Sequence, residues 1–147
     1  MSRLSHFLIT FAVLITSTAS SAARADDQDV IDYREHIMKT VGEQVAAIGQ
    51  ILQQKAPAEN FATHAQILAI TAGTAKKAFE QKVPGGEAKP EVWAQWPDFS
   101  KRLDELTAAT ADLARIAKTG GVTAAGPKVQ TLPCKSCHDT YRMEKKK

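Results

Sequence analysis

Apolar residues recur at intervals of mostly three and four in two long stretches of the chain. In residues 29–55 they are Val30, Ile37, Val41, Val45, Ile48 and Leu52. In residues 61–79 they are Phe61, Ala65, Leu68, Ala72, Ala75 and Phe79. This spacing places the apolar side chains on one face of an α-helix. Each stretch is therefore predicted to be an amphipathic helix, and prolines at 57 and 84 limit their carboxyl ends.

Two further helices are predicted in the second half of the chain. One opens at Asp98 and closes at Gly120-Gly121, with an inner stripe of Phe99, Leu103, Leu106, Thr110, Leu113 and Ala117. The last runs from about residue 123 to 143, and Pro133 is expected to kink it or to restart it just before Cys134. The long connection at 84–97 contains both tryptophans, which we expect to pack onto the core.

The pattern as a whole predicts an all-α protein. No segment alternates with the period of a β-strand, and short links make the first and second helices, and the third and fourth, antiparallel neighbours. The predicted fold is an antiparallel, up-down-up-down four-helix bundle. Alanines in the inner stripes, such as Ala65, Ala72 and Ala75, permit close helix approach or leave room for something other than a side chain.

The amino terminus has the pattern of a secretory signal peptide. A basic start at Arg3 precedes an apolar run from Phe7 to Ile15 and an Ala-Arg-Ala end at residues 23–25. The predicted domains are a signal peptide, 1–25, and one bundle, 26–147, which has 122 residues. Export predicts a periplasmic location, and no later run approaches the ~18 apolar residues of a membrane span.

Charge excludes nucleic acid as a partner. Without Arg3 and Arg24, 17 basic residues face 16 acids, and the net charge falls from +3 to +1. Three of the remaining lysines form the terminal run 145–147, which is typical of a solvated tail. Nothing here forms the basic face that nucleic-acid binding requires.

The chemistry of the chain is concentrated in Cys134-Lys-Ser-Cys137-His138. C-x-x-C-H is the signature of covalent haem attachment, in which two thiols add to the vinyl groups and the histidine binds iron. A structural zinc site would want a fourth ligand, and a thioredoxin-like pair belongs beside a βαβ pattern, which is absent here. A plain disulfide would need no histidine. Covalent haem c, one per chain with its iron, is the favoured interpretation.

With this motif near its carboxyl end, the chain resembles the class II c-type cytochromes, the cytochrome c′ family. His138-Asp-Thr-Tyr141-Arg142 is similar to the family's CHxxYR ending, and Tyr33-Arg34 to Met38 is similar to its amino-terminal YRxxxM pattern. The segment 89–96 is similar to one in the low-spin branch. The resemblance covers essentially all of residues 26–147, and Pro133 departs from the family's pattern.

The sixth coordination position of the iron decides the function. The resemblance to the low-spin branch implies Met38 as the distal ligand opposite His138, and a thioether suits haem iron. The alternative is that Met38 only packs the core, as methionine often does. His64 and His36 are competing candidates, since imidazole also binds iron, but their places beside the apolar stripes favour partly exposed, structural roles.

Three more residues are candidates for the surroundings of the haem. The resemblance implies that Arg34, one turn before Met38, contacts a propionate, which a guanidinium fork matches. Tyr141 is expected to pack on the porphyrin edge, and Arg142 to neighbour the proximal imidazole. Each could instead be an ordinary residue of the helix surface.

The main functional prediction is a periplasmic electron carrier, not an enzyme, with His138 and Met38 as axial ligands. Its partners would be other redox proteins, met transiently, and the resemblance allows a homodimer. The alternative is a five-coordinate haem protein that binds nitric oxide or carbon monoxide in an apolar pocket. A second rival is a haem-free bundle with a Cys134–Cys137 disulfide.

Overall fold

The protein is described by a computed structural model that covers residues 26–144. The predicted signal peptide, 1–25, and the terminal lysine run lie outside the described residues. The helices are α1 (Asp27–Leu52), α2 (Phe61–Phe79), the single-turn α3 (Glu91–Ala94), α4 (Trp96–Val129) and α5 (Cys134–Tyr141). A 3₁₀ turn, Ala58–Asn60, leads into α2. The predicted first and second helices are confirmed to within a few residues.

A reciprocal cap fixes the start of α1. The backbone N–H of Asp29 donates to the Asp26 side chain at 2.8 Å, and the Asp26 N–H donates back to the Asp29 carboxylate at 3.3 Å. Two of the amide groups that a helix leaves unpaired at its amino end are thereby satisfied. At the other end, Gln54 has a φ of 58°, which stops the helix before Pro57.

The long helix α4 consists of two arms that meet at Gly121. This glycine has φ 58° and ψ −153°, a backbone conformation essentially restricted to glycine. The Lys128 Nζ lies 3.0 Å from the Asp112 Oδ2, although 16 residues of straight helix would span about 24 Å. The chain therefore folds back, so that arm 96–120 and arm 122–129 are antiparallel.

The four-helix bundle predicted from the sequence is confirmed. Lys76 of α2 pairs with Asp104 of α4 at 2.7 Å, while the Thr107 hydroxyl donates to the Ala72 carbonyl at 3.4 Å, so these helices run in opposite directions. The fourth helix is the second arm of α4 continued by α5. Pro133, with ψ 39°, stands at the start of α5, so the predicted restart of the last helix is also found.

Two apolar clusters fill the bundle. The first lies toward the α1–α2 turn and includes Ile48, Phe61, Leu68, Leu113 and Ala117. The second includes Phe79, Val92, Phe99, Leu103 and Tyr141, and the partly buried side chains packed against it are Ile37, Met38, Ala88, Trp93, Trp96, Cys134 and Cys137. Both tryptophans pack on the core, as expected, and the haem motif meets the second cluster.

Between residues 26 and 144, no helix combines the length and apolar character needed to cross a bilayer. β-Structure in the same range is limited to isolated bridges that join Ala88 to Gly85 and to Arg142. The second bridge connects the long α2–α3 connection to the end of α5. The connection is therefore held against the helix that carries the haem motif.

Replacing Gly121 by alanine should destabilise the protein through the backbone alone. A Cβ there would meet no atom within 4 Å, but the backbone conformation of Gly121 disfavours any side chain, at a cost of about 1–3 kcal/mol. Urea unfolding of the holoprotein, followed by circular dichroism, measures this loss.

Gly42→Ala is the matched control, because Gly42 lies inside α1 and also has open space around it. Alanine should stabilise that helix by roughly 0.5–1 kcal/mol. Equal urea midpoints for Gly121→Ala and the unaltered protein would contradict the role assigned to Gly121.

Candidate haem-attachment site

The two cysteines lie in the first turn of α5, three residues apart, which places both sulfur atoms on one side of the helix. Both thiols are free and partly buried, and both pack against the second apolar cluster. Burial raises the pKa of Cys134 and of Cys137, so the thiols keep their protons at neutral pH. The motif therefore presents two S–H groups to a common apolar wall.

His138 follows directly and borders a different space. With Lys89, Asp139, Arg142, Met143 and Glu144, it lines a polar cleft of about 320 Å³. Burial of the imidazole, and then the charge of Arg142, lowers the pKa of His138. The neutral imidazole, which is the form that binds metal ions, is thereby favoured.

These groups fit a covalently attached haem. Two free thiols can form the two thioethers, and the adjacent neutral imidazole can bind iron. The cluster against which the cysteines pack includes Ala72 and Ala75, whose side chains are small and fully buried. Within residues 26–144, no three His, Cys, Asp or Glu side chains are grouped closely enough to hold a metal ion on their own.

Met38 reaches this site from α1. Its side chain is partly buried and packs against the second cluster, together with Ile37, Trp93 and Trp96. The structure thus brings Met38 to the same cluster as the two cysteines. The two competing histidines are elsewhere: His36 is exposed, and His64 shares a 2.8 Å hydrogen bond with Gln44 beside the first cluster.

Arg34 is almost completely buried, with 1% of its surface exposed, and its donors contact the connection after α2. Its Nη1 donates to the Val83 carbonyl and its Nη2 to the Gly85 carbonyl, each at 2.6 Å. The guanidinium carbon lies 5.1 Å from the ring centroid of Trp93 and 5.8 Å from that of Phe79. The predicted propionate contact of Arg34 stays a prediction. Sequence reasoning missed these carbonyl partners.

The connection that Arg34 holds also reaches the end of α5. The Lys89 N–H donates to the Tyr141 carbonyl at 3.0 Å, and the Met143 N–H donates to the Glu87 carbonyl at 2.8 Å. Nearby, the Trp93 Nε1 donates to the Phe79 carbonyl at 2.9 Å. Arg34 on α1 is thereby connected, through residues 83–89, to the helix that carries His138.

Tyr141 holds the end of α5 against α4. Its ring is 3% exposed and packs edge-on against Phe99, with centroids 5.0 Å apart. Its hydroxyl donates to the Asp98 Oδ2 at 2.6 Å. Burial, and then this hydrogen bond, raises the pKa of Tyr141 to about 12, whereas hydrogen bonds from Tyr141 and Arg102 lower the pKa of Asp98.

Of the two residues predicted to surround the haem from α5, Tyr141 lies in the cluster that the cysteines meet. Arg142 is exposed, and its backbone forms the bridge to Ala88. The Arg142 charge contributes to the lowered pKa of His138, so the two side chains are neighbours.

Asp98 and Arg102 were missed by sequence reasoning. An acid and an arginine four residues apart on a helix are typical of an ordinary surface pair, and nothing in the spacing indicated a contact to α5.

An antiparallel helical bundle with a C-x-x-C-H motif on its last helix defines a protein that binds a cofactor covalently. A family model described as cytochrome c′ matches residues 29–142. The chain therefore belongs to the cytochrome c′ family, in which haem c and its iron are attached covalently. The chain has only two cysteines, Cys134 and Cys137, and both lie in the motif.

Individual relatives agree with this assignment. The chain is 28% identical over 145 residues to a cytochrome c′ of Rhodospirillum rubrum, which covers 95% of this chain and 99% of the relative. It is 30% identical over 143 residues to a cytochrome c-556 of Agrobacterium fabrum, with 93% and 95% covered.

Solved structures share the fold. A cytochrome c prime from Shewanella frigidimarina superposes with a TM-score of 0.76 at 24% identity, covering 83% of this chain and all of that one. The nitric oxide complex of a variant cytochrome c prime from Alcaligenes xylosoxidans gives a TM-score of 0.75 at 21% identity, with 83% and 100% covered.

The prediction of an electron carrier with His138 and Met38 as axial ligands is wrong. Relatives from Rhodospirillum rubrum and Alcaligenes xylosoxydans are cytochromes c′, and matching cytochrome c prime structures carry bound nitric oxide or carbon monoxide. These findings favour the gas-binding alternative. The sequence could not distinguish the two roles of Met38, because a methionine that packs a core and a methionine that binds iron both occupy an apolar helix face.

Arg34→Lys should destabilise the connection at residues 83–89. One amine cannot replace the fork that serves both carbonyls, and a lost hydrogen bond from a buried charged donor costs about 1.5–3 kcal/mol. Urea unfolding and amide exchange of the holoprotein measure the effect.

Arg115→Lys is the control, because the Arg115 side chain is 71% exposed in its pair with Asp112. Such a pair should give no measurable change. If the two variants are equally stable, the buried carbonyl contacts of Arg34 contribute nothing.

Ionisation of Tyr141 should make the protein less stable at high pH. The unfolded phenol loses its proton near its ordinary pKa of about 10, while the folded phenol keeps its proton until about pH 12. Between these values the free energy of unfolding should fall as the pH rises. Carbon-13 NMR of labelled tyrosine follows the titration, and Tyr141→Phe should remove both the late titration and this part of the fall. A Tyr141 signal that titrates near pH 10 in the folded protein would refute the assignment.

Proposed function

We propose that the protein is a five-coordinate haem protein that binds nitric oxide or carbon monoxide at the iron. Cys134 and Cys137 would hold the haem through thioethers, and His138 would be the one protein ligand of its iron. Met38 would pack against the haem without binding the iron. When bound, the haem supplies an iron with one open position for a small ligand.

The observation that carries this proposal is the apolar surroundings of Met38. Ile37, Trp93 and Trp96 pack against the same cluster as Met38 and the two cysteines. An anion would lose its hydration among these side chains, and the one buried cation beside them, the Arg34 guanidinium over the Trp93 ring, is already bonded to two carbonyls. Nitric oxide and carbon monoxide are small and uncharged, so an apolar pocket admits them without that cost.

Known proteins of the same fold support the choice of ligand. A cytochrome c prime from Alcaligenes xylosoxidans has been solved with nitric oxide bound, and another variant of it with carbon monoxide bound. These complexes are of that protein. For the present chain they make diatomic gases the first ligands to test.

Each residue of the site has a definable task in this proposal. Burial keeps the His138 imidazole neutral, so that a ring nitrogen has a lone pair for the iron. Burial likewise keeps the cysteines as thiols until they are bonded to the haem. Arg34 holds the connection at 83–89 in place through its two carbonyl contacts. Arg34 as a propionate partner, and Arg142 as a neighbour that adjusts the imidazole, belong to the same proposal.

The cellular setting is part of the proposal. The amino-terminal pattern at residues 1–25 supports export to the periplasm, where the bundle 26–147 would act without catalysing a reaction. Loading with carbon monoxide requires ferrous iron, so a redox protein met transiently would supply the electron. The net charge of about +1 left after cleavage supports protein rather than nucleic-acid partners. A homodimer remains part of the proposal.

The ferrous holoprotein should bind carbon monoxide completely, because an open coordination position needs no protein ligand to leave first. Optical titration with carbon monoxide measures this binding. Met38→Leu, which conserves volume, should leave both the high-spin spectrum and the extent of binding unchanged.

Met143→Leu serves as the control for the loss of a methionine, since Met143 is 48% exposed and lines the cleft at His138 rather than packing against the second cluster with Met38. Sharp low-spin bands in the unaltered ferrous protein that disappear in Met38→Leu, but persist in Met143→Leu, would overturn the proposal.

A further inference from the structure

The helix that carries the haem motif cannot be stable by itself. α5 contains eight residues, and no side-chain cap stabilises its amino end at Pro133. Isolated helices shorter than about 12–15 residues are marginal in water. The orientation of Cys134, Cys137 and His138 must therefore come from contacts between α5 and the rest of the bundle.

Two residues of α4, one turn apart, provide such contacts on the side of α5 that faces α4. The Tyr141 hydroxyl donates to the Asp98 Oδ2 at 2.6 Å. The Arg102 Nη1 donates at 3.0 Å to the carbonyl of Ser136, which lies between the two cysteines. The Arg102 Nε donates to the same Asp98 Oδ2 at 2.7 Å, which joins the two contacts into one network.

The network holds α5 at two separate points. Ser136 belongs to its first turn and Tyr141 is its last residue, so the two contacts together restrict rotation about the axis of α5 as well as tilt. The Arg102 guanidinium also lies over the Tyr141 ring, with its carbon 5.6 Å from the centroid. The backbone bonds with residues 87 and 89 lie at the carboxyl end of α5, where the Met143 N–H donates to Glu87 and the Tyr141 carbonyl accepts from Lys89. Arg102 acts on the segment between the cysteines.

We propose that Asp98 and Arg102 are positioning residues for haem attachment. They hold α5 in the orientation in which Cys134 and Cys137 meet the two vinyl groups and His138 meets the iron. In each attachment a thiol adds across a vinyl double bond: sulfur bonds to one carbon, the hydrogen goes to the other, and no electrons are gained or lost overall. The proposal depends on the covalent haem of the family and is independent of gas binding.

Alanine variants of Asp98 and Arg102 test this role in protein made with an intact haem-attachment pathway. Both should leave a larger fraction of chains without haem, as counted by intact mass. In the haem-bearing fraction, amide exchange at residues 135–142 should rise roughly tenfold or more, the size expected for one lost charged hydrogen bond. The electron paramagnetic resonance signal of the ferric iron should also shift or broaden, because the imidazole is held less firmly.

Asp112→Ala is the matched control. Asp112 lies on the same helix and accepts bonds from Arg115 at 2.6 Å and from Lys128 at 3.0 Å, so it too joins two parts of the chain. Its network contains no residue of α5. This variant should keep normal haem content, α5 exchange and resonance signal even if its urea midpoint falls.

Conservative variants separate positioning from folding. Tyr141→Phe keeps the packed ring and removes only the hydroxyl, and Arg102→Lys keeps the charge but cannot serve Asp98 and Ser136 in the same geometry. Tyr141→Phe and Arg102→Lys should both lower the haem content, raise amide exchange in α5 and alter the resonance signal, each to a smaller extent than the alanine variants. If Asp98→Ala fails to fold, the same measurements are made on Asp98→Asn instead. Haem content, α5 exchange and resonance signals equal to those of Asp112→Ala would overturn the proposal.

Discussion

The site depends on how one short helix, α5, docks against the rest of the bundle. α5 contributes all three groups of the haem motif but only one fully buried side chain, Tyr141. That ring fills a position in the second cluster against Phe99, and its hydroxyl has Asp98 as partner. Burying a phenol costs free energy unless its O–H is paired. The ring and the hydrogen bond therefore act together, and the geometry of the cysteines follows from them.

The connection between α2 and α3 supports α5 from the opposite side. A buried guanidinium holds two of its carbonyls, and its residues 87–89 bond to the chain around Tyr141. Arg34 lies one turn before Met38 on α1. The helix that brings Met38 to the second cluster therefore also anchors the connection, whose Lys89 lines the cleft at His138. α4 and α1 thereby restrain α5 through separate sets of contacts.

Much of the fold could be predicted from the sequence because its signals are local. Helical periodicity, the glycine pair at 120–121 and Pro133 each act within a few residues, and all three have the expected structural effect. The partners of Arg34 and the contact of Arg102 with Ser136 join residues 34 to 51 positions apart. Such contacts depend on the path of the chain in space. The choice between a ligating and a packing methionine depends on the iron as well, and the apolar stripe of α1 is the same in both cases.

The central claim is that the iron has one protein ligand rather than two. The X-ray absorption spectrum at the iron edge of the ferric holoprotein tests it most directly, because it reports the number and kind of atoms bonded to the metal. The account predicts a five-coordinate iron bonded to nitrogen atoms alone, from the porphyrin and His138. A six-coordinate iron with a sulfur neighbour would contradict it and would make Met38 a ligand.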